Sequence, residues 1–313
     1  MHMRRAGGAL SVLLLAVTSL PSAAAAAPRQ QLFASPEAAV DALVAAARTG
    51  DSKAMLAVLG PEAKRVIDSG DPVTDQKTRD DFVRRYDEAH SLLKSGDEHE
   101  VLQVGADDWP LPIPLIKTEG GWRFDAAAAQ EEILARRIGK NELAAIQVCL
   151  AYVAAQREYS LRNPTADTVH QYAQYFTSTP GKRDGLFWET ADTEEPAPLG
   201  PLIAGARGEG YQVKHGERSP YHGYYYKILK AQGPDAEGGK YDYVVRGKMI
   251  GGFALVAYPA QYGASGVTTF LTNHDGVVFQ KDLGSKTAAI AQAMTTFSPD
   301  STWSREPTED EKP

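Results

Sequence analysis

Beyond His2, the side chains most able to do acid–base or metal chemistry are six histidines: His90, His99, His170, His215, His222 and His274. No two of them fall in HExxH spacing or another compact ligand pattern. His215 and His222 share a glycine-rich stretch with Glu217 and Tyr221, the nearest thing to a constellation in the chain. Two loop histidines and a distant carboxylate can hold a metal, but ordinary surface imidazoles fit the same spacing, and no metal is expected. A run of phenols follows at Tyr221, Tyr224, Tyr225 and Tyr226. Such rings pack strands together, and beside a loop they also suit stacking on a sugar or holding a peptide, having a large face and a polar tip. Tyr221, His222, Tyr224, Tyr226 and His215 are therefore the candidate ligand-binding residues, and no catalytic residue is assigned.

Nucleophile patterns are thin. The chain has no G-x-S-x-G elbow, and its one cysteine, Cys149, lies in a helical stretch beside Leu150, where it reads as a buried small hydrophobe. With one cysteine there is no internal disulfide. The glycines at 205–210 superficially resemble a phosphate loop but carry no Lys-Ser/Thr and no flanking strand and helix. Asp192 and Glu194 with loop carbonyls are a calcium candidate lacking an ordered oxygen cage. No cofactor is expected.

The elements that must position these residues begin after a leader. Arg4 and Arg5, an apolar run within 9–20 and small residues ending at Ala27 make a secretory signal peptide over 1–26. Its apolar run is shorter than the ~20 residues a bilayer span needs. The expected location is periplasmic or secreted, with no integral membrane span. The chain carries 33 Lys and Arg against 40 Asp and Glu, a net charge of −7. Removing the two leader arginines takes this to about −9, which argues against nucleic-acid binding by clustered cations.

Ser35, Pro36 and Gly50 bracket a first helix, Asp51 can cap a second, and apolar spacing predicts a longer helix over 74–94. Strands are expected over 98–104 and 111–117, then a Gly120-Gly121 turn into Trp122-Arg123-Phe124. A further helix is predicted over 140–161, then a loop-rich region over 162–220 with helical turns at 171–176 and 199–204. Strands follow at 224–229, 241–245, 252–258, 267–272 and 277–281, and a last helix at 287–294. The 252–258 strand is apolar on both faces and should be central. This is an α+β chain of two domains, with helices on a curved antiparallel sheet (33–138), then a helix on an antiparallel sheet (140–303). A disordered acidic tail is expected over 304–313.

The opening SPEAAVDALVAAARTGDSKAMLAVLG and the later LIKTEGGWRFD resemble nuclear-transport-factor-2-like (cystatin-like) domains. That resemblance implies a cone between helices and sheet that can hold a small ligand or, in enzymatic members, an active site. Asp107-Asp108-Trp109 would lie at its mouth or in a solvated turn. The stretch NELAAIQVCLAYVAAQREYS with FALVAYPAQYGASGVTTFLTNHDGVV resembles type IV pilin and type II secretion pseudopilin heads. Those proteins carry a long apolar N-terminal helix and a prepilin cleavage site, and this chain has neither. Through GKMIGGFALVAYPAQYG and TTFLTNHDGVVFQKDLG the whole chain resembles the exported bacterial family 2950 of the domains of unknown function, which implies no known activity.

Two classes of function stand. One is an exported non-catalytic envelope protein that binds a protein partner, polymer or small ligand. The other is an exported hydrolase or isomerase using the N-terminal cone or the His215/His222 loop. A deep N-terminal cavity holding an Asp, Tyr or His of raised pKa would favour the enzyme. A filled cone and a flat tyrosine-lined surface would favour binding.

Overall fold

The computed structural model describes residues 29–191 and 193–307. The leader, Asp192 and positions 308–313 of the tail lie outside the described residues.

Local signals set the first helices. The Ser35 side chain accepts from Ala38 N at 3.2 Å, Pro36 fills the first turn and Gly50 closes α1 (Pro36–Thr49) at φ 67°. Asp51 caps α2 (Ser52–Leu59), a short α3 (Lys64–Ile67) follows, and Asp71 caps α4 (Pro72–Glu88). The helix expected over 74–94 stops at Glu88. Ala89 turns extended (ψ 146°), and His90 to Lys94 form strand β1 (His90–Lys94), with Leu92 opposite Leu102 on β2 (His99–Val104). Then come β3 (Trp109–Pro110), β4 (Leu115–Thr118) and β5 (Gly121–Phe124). The sheet order is β1-β2-β4-β5, with β3 also on β2. Leu102, Leu115 and Phe124 meet Val40, Leu43 and Leu59 in a first core.

One helix, α5 (Ala126–Arg162), runs for 37 residues into a second core. Ala126 and Ala129 belong to the first core; Ala145, Cys149, Tyr152, Val153 and Tyr159 belong to the second. The boundary expected at 138–140 thus falls inside a continuous helix. Gly139 does not break it: a mid-helix glycine costs ~1 kcal/mol relative to alanine, and packing on both sides outweighs that.

The loop-rich region holds more structure than its composition suggests. Residues expected as a helical turn at 171–176 lead into β6 (Tyr175–Thr177), which pairs in parallel with β7 (Gly185–Phe187). The turn expected at 199–204 is α6 (Gly200–Gly208), which takes up Gly205 and Gly208 of the stretch that resembled a phosphate loop, while Gly210 lies past its end at φ 98°. The second large sheet comprises β8 (Tyr224–Leu229), β13 (Ala254–Pro259), β14 (Thr268–Asn273), β15 (Val278–Asp282) and β16 (Ser304–Arg305). The intervening strands, β9 (Ala231–Gln232) with β10 (Tyr241–Asp242) and β11 (Val244–Val245) with β12 (Lys248–Met249), form two small ribbons. The large sheet's order is β16-β15-β14-β13-β8, and α7 (Thr287–Ala293) packs on β13. Every residue of β13 is buried, as its two apolar faces require. Ser304 and Arg305 pair with Gln280 and Phe279, so the tail begins later than position 304.

The protein is α+β, with helices and antiparallel sheets. Among the described residues no helix is long and apolar enough to cross a membrane.

Candidate functional site

The sequence Tyr221-His222-Gly223-Tyr224 folds as a two-residue hairpin turn. Tyr221 and Tyr224 exchange both backbone hydrogen bonds (2.9 and 3.1 Å), with His222 at φ 49° and Gly223 at φ 74°. Such a turn needs left-handed backbone at both corners, which histidine tolerates better than most residues and glycine best. A side chain at position 223 would also meet the Asn141 amide at 2.5 Å. The hairpin corner docks on the N-terminal half of the chain. Gly223 N–H donates to Asp71 Oδ2 at 2.8 Å, and Tyr211 O–H donates to the same oxygen at 2.9 Å. Since the Tyr211 proton is committed there, the Thr74 hydroxyl donates to Tyr211 at 3.0 Å. Burial first, then the Asp71 charge, raise the Tyr211 phenol above its ordinary pKa.

Beside this joint lies a cavity of about 300 Å³. Its back wall is Val148 and Tyr152 of α5 with Phe176 of β6, its side is Leu202, Ile203 and Ala206 of α6, and residues 213–221 cover it as one continuous loop. Tyr211, Tyr221 and Tyr226 add phenol rings. Burial holds the Tyr226 hydroxyl well above its ordinary pKa, and it donates to Tyr221 O at 3.4 Å. At the mouth, Tyr175 lies under the Lys230 ammonium at 5.2 Å and meets the His215 ring edge-on at 5.4 Å. His215 Nδ1 is 2.7 Å from the Thr177 carbonyl oxygen. A carbonyl only accepts, so Nδ1 carries the proton and, in the neutral ring, Nε2 keeps a free lone pair.

The structure therefore brings together three of the five expected residues: His215, Tyr221 and Tyr226. It leaves two out of the cavity. Tyr224 shares a strand face with Tyr226 by the two-residue alternation, but it is wholly buried. Its ring lies against Gly266, and its hydroxyl donates to Thr268 O at 2.9 Å. His222 is the hairpin corner, with Nε2 3.8 Å from Glu209. His274 sits in the turn between β14 and β15, partly exposed, with its ring edge-on to Tyr243 and Phe253. The sequence reading missed Tyr211, Asp71 and the α6 wall. Asp71-Pro72 is itself a helix-start signal, with Asp71 as the N-cap and Pro72 in the first turn of α4.

His222 makes the joint sensitive to acid. Burial lowers its pKa from the ordinary 6.5, against the opposing pull of Glu209 and Asp71. The unfolded chain then binds a proton more readily than the folded one, so this contribution to stability is intact above about 6.5 and is lost as pH falls below that through the lower folded value. Melting temperature measured from pH 8 to pH 5 should drop less steeply in His222→Asn, which keeps a residue tolerant of positive φ. An unchanged acid limb would exclude His222 as its source.

A second cavity, of about 470 Å³, lies in the N-terminal half beneath α4. Asp75 lines it, and burial raises its carboxyl above the ordinary range. A carboxyl of raised pKa thus lies in this cavity, but it is not free to act as a base. The carboxylate is already taken up by Ser69, accepting from Oγ at 2.7 Å and from the backbone N at 3.0 Å. Trp109 does lie at this mouth, while Asp107 pairs with Arg85 at 2.9 Å. Nor is the tyrosine-lined surface flat, since it folds into the first cavity.

Among the described residues no serine, threonine or cysteine side chain hydrogen-bonds a histidine, and no three His, Cys, Asp or Glu side chains sit together as a metal cage. Cys149 is wholly buried, its thiol pushed up to about 12. What the first cavity can do is hold an apolar or aromatic group against phenols and aliphatic side chains, with Lys214, His215, Glu217 and Arg218 at hand for polar contacts.

No curated protein and no solved structure matches the chain. One family model does, over residues 30–305, nearly the whole of the described structure. The chain belongs to that family, described as protein of unknown function (DUF2950).

Proposed function

We propose that the protein is an exported, non-catalytic binding protein whose ligand is a small amphipathic molecule seated in the tyrosine-lined cavity. In this reading the leader over 1–26 directs it to the periplasm or beyond. The N-terminal helices and sheet form a nuclear-transport-factor-2-like unit, and α5 on the second sheet forms a pilin-head-like one. The observation that carries the reading is the cavity itself. About 300 Å³ of space, walled by aliphatic side chains and phenols and covered by the single 213–221 loop, is the form small-molecule sites take.

The test is a thermal-shift screen of the mature protein against amphipathic aromatics, glycans, peptidoglycan fragments and metals. A ligand at one hundred times its Kd adds about 2.7 kcal/mol, a rise of several degrees for a chain this long. The shift should disappear in Ala206→Phe, which fills the cavity from α6, and shrink in Tyr226→Ala, which removes one wall. If no compound shifts the melting point, or Ala206→Phe leaves the shift intact, the site is wrong and a protein partner should be sought in envelope extracts.

The hydrolase or isomerase reading keeps one supporting observation, the free Nε2 of His215 at the cavity mouth. It predicts turnover of a bound ligand that His215→Ala abolishes without weakening binding.

A further inference from the structure

The cavity beneath α4 has features that packing alone does not account for. Its floor is apolar and buried: Leu43, Ala47, Met55, Leu59 and Ile113. Its mouth carries Trp109, 39% exposed, and side chains of α4. That helix has seventeen residues, yet not one of them is fully buried. An amphipathic helix normally buries a stripe against the core. Here the space beneath it stays open, with Phe82 half-buried along its wall.

The charges around this space do not cancel. Arg85 is paired with Asp107, and Asp81 lies 3.4 Å from Arg84 at the surface. Arg137 is spent on the end of α3, donating to the Arg65 carbonyl at 2.8 Å and to that of Val66. Asp75 is held by Ser69. Arg79 remains. Its Nη2 donates to Gln76 at 2.7 Å, its Nε is buried with no hydrogen-bond partner, and among the described residues no carboxylate pairs with it. A buried guanidinium N–H left unsatisfied is costly, and guanidinium is the side chain best shaped to receive a carboxylate or phosphate on two donors.

We propose that this cavity binds a single-chain amphipathic anion, with its alkyl chain on the Leu43–Met55–Ile113 floor and its anionic head on Arg79. The site is separate from the tyrosine-lined cavity, and its test does not depend on that one.

The probes are decanoate and decyl phosphate below their micellar concentrations, with decanol and butyrate as controls, titrated by calorimetry into the full-length mature protein. Decanoate or decyl phosphate should bind saturably, and the tighter of the two names the head group. Decanol should bind at least about tenfold more weakly and butyrate not at all, since one lacks the charge and the other the chain. Arg79→Gln, which gives up only the bond to Gln76, should weaken the anion about tenfold or more and leave decanol unchanged. Bromine-labelled decanoate should quench tryptophan fluorescence in the wild type and much less in Trp109→Phe, with the calorimetric affinity retained. Amide exchange along α4 should slow on binding. Equal affinity for decanol and decanoate, an unaffected Arg79→Gln, or quenching that survives Trp109→Phe would each overturn the proposal.

Discussion

Asp71→Ala is expected to destabilise the protein by about 3–5 kcal/mol, more than any other single substitution at the joint between the two halves of the chain. The carboxylate is wholly buried and, among the described residues, pairs with no lysine or arginine, so hydrogen bonds support it. It caps α4 through Thr74 N at 3.2 Å, worth ~1 kcal/mol. Truncation would also strand two buried donors, Gly223 N–H and Tyr211 O–H, at ~1–3 kcal/mol each. Relief of the buried charge offsets part of that total. Asp71→Asn keeps one acceptor oxygen where the carboxylate uses two, so its amide nitrogen must face either the Thr74 N–H or the Gly223 and Tyr211 donors, and it should cost less than the alanine variant, about 1–3 kcal/mol. Urea unfolding measures both values. Amide exchange adds a local readout, because loss of the dock in Asp71→Ala should speed exchange at Tyr221 and Gly223. A loss below about 1 kcal/mol for Asp71→Ala would mean that water replaces the carboxylate and that the halves are held elsewhere.

How much of this joint could be read in advance depends on how local its causes are. The Asp71 cap is a matter of neighbouring residues, and Asp-Pro ahead of a helix announces it. Its second use, receiving the corner of a hairpin 152 positions away, leaves no mark near either end. The same division runs through the fold. Ser35-Pro36 and Gly50 fix α1, and the doubly apolar 254–259 stretch fixes an interior strand of the second sheet, paired on both edges, because cap, turn and burial pattern are all written in place. The overlong helix at 74–94 failed for the opposite reason. His90 to Lys94 continue a plausible helical spacing, and only pairing with His99–Val104 makes them a strand. Gly139 lies inside α5, since packing in two separate cores carries the helix through it. In the tyrosine cluster, alternation correctly separates Tyr225, which packs on Tyr258 at 5.6 Å, from Tyr224 and Tyr226. It could not say that Tyr224 would be sealed under Gly266 while Tyr226 reached a cavity, because the α6 wall and the covering loop arrive from the region with the weakest local pattern.

Gln156→Leu separates two accounts of the second core. Gln156 is wholly buried on α5 in mostly apolar surroundings, and leucine has a similar volume. If burial of hydrocarbon governed this position, leucine would stabilise the protein, since it hides no polar group. The hydrogen bonds predict the reverse. The Gln156 amide binds Ala173 twice, donating to its carbonyl and accepting from its N–H, each at 2.8 Å, and it also donates to the Tyr152 hydroxyl at 3.0 Å. Gln156 thus completes, for a segment outside any regular strand, the pairing a sheet neighbour would otherwise supply. Leucine would leave the Ala173 N–H and C=O buried and unpaired, at ~1–3 kcal/mol apiece, for a loss of about 3–5 kcal/mol. The effect should spread to the cavity. Ala173 leads into Tyr175 and Phe176, and Tyr152 forms the back wall, so ligand affinity at the tyrosine-lined site should fall together with stability. Gln156→Glu is the companion variant: it keeps the acceptor for Ala173 N–H but loses the donor, and its deficit should shrink as the carboxyl protonates at low pH and regains an O–H. Unfolding curves at pH 7 and pH 5 for the two variants decide the matter. A leucine variant as stable as the wild type would show that Ala173 is not held by this side chain and that the mouth of the cavity is positioned from α6 alone.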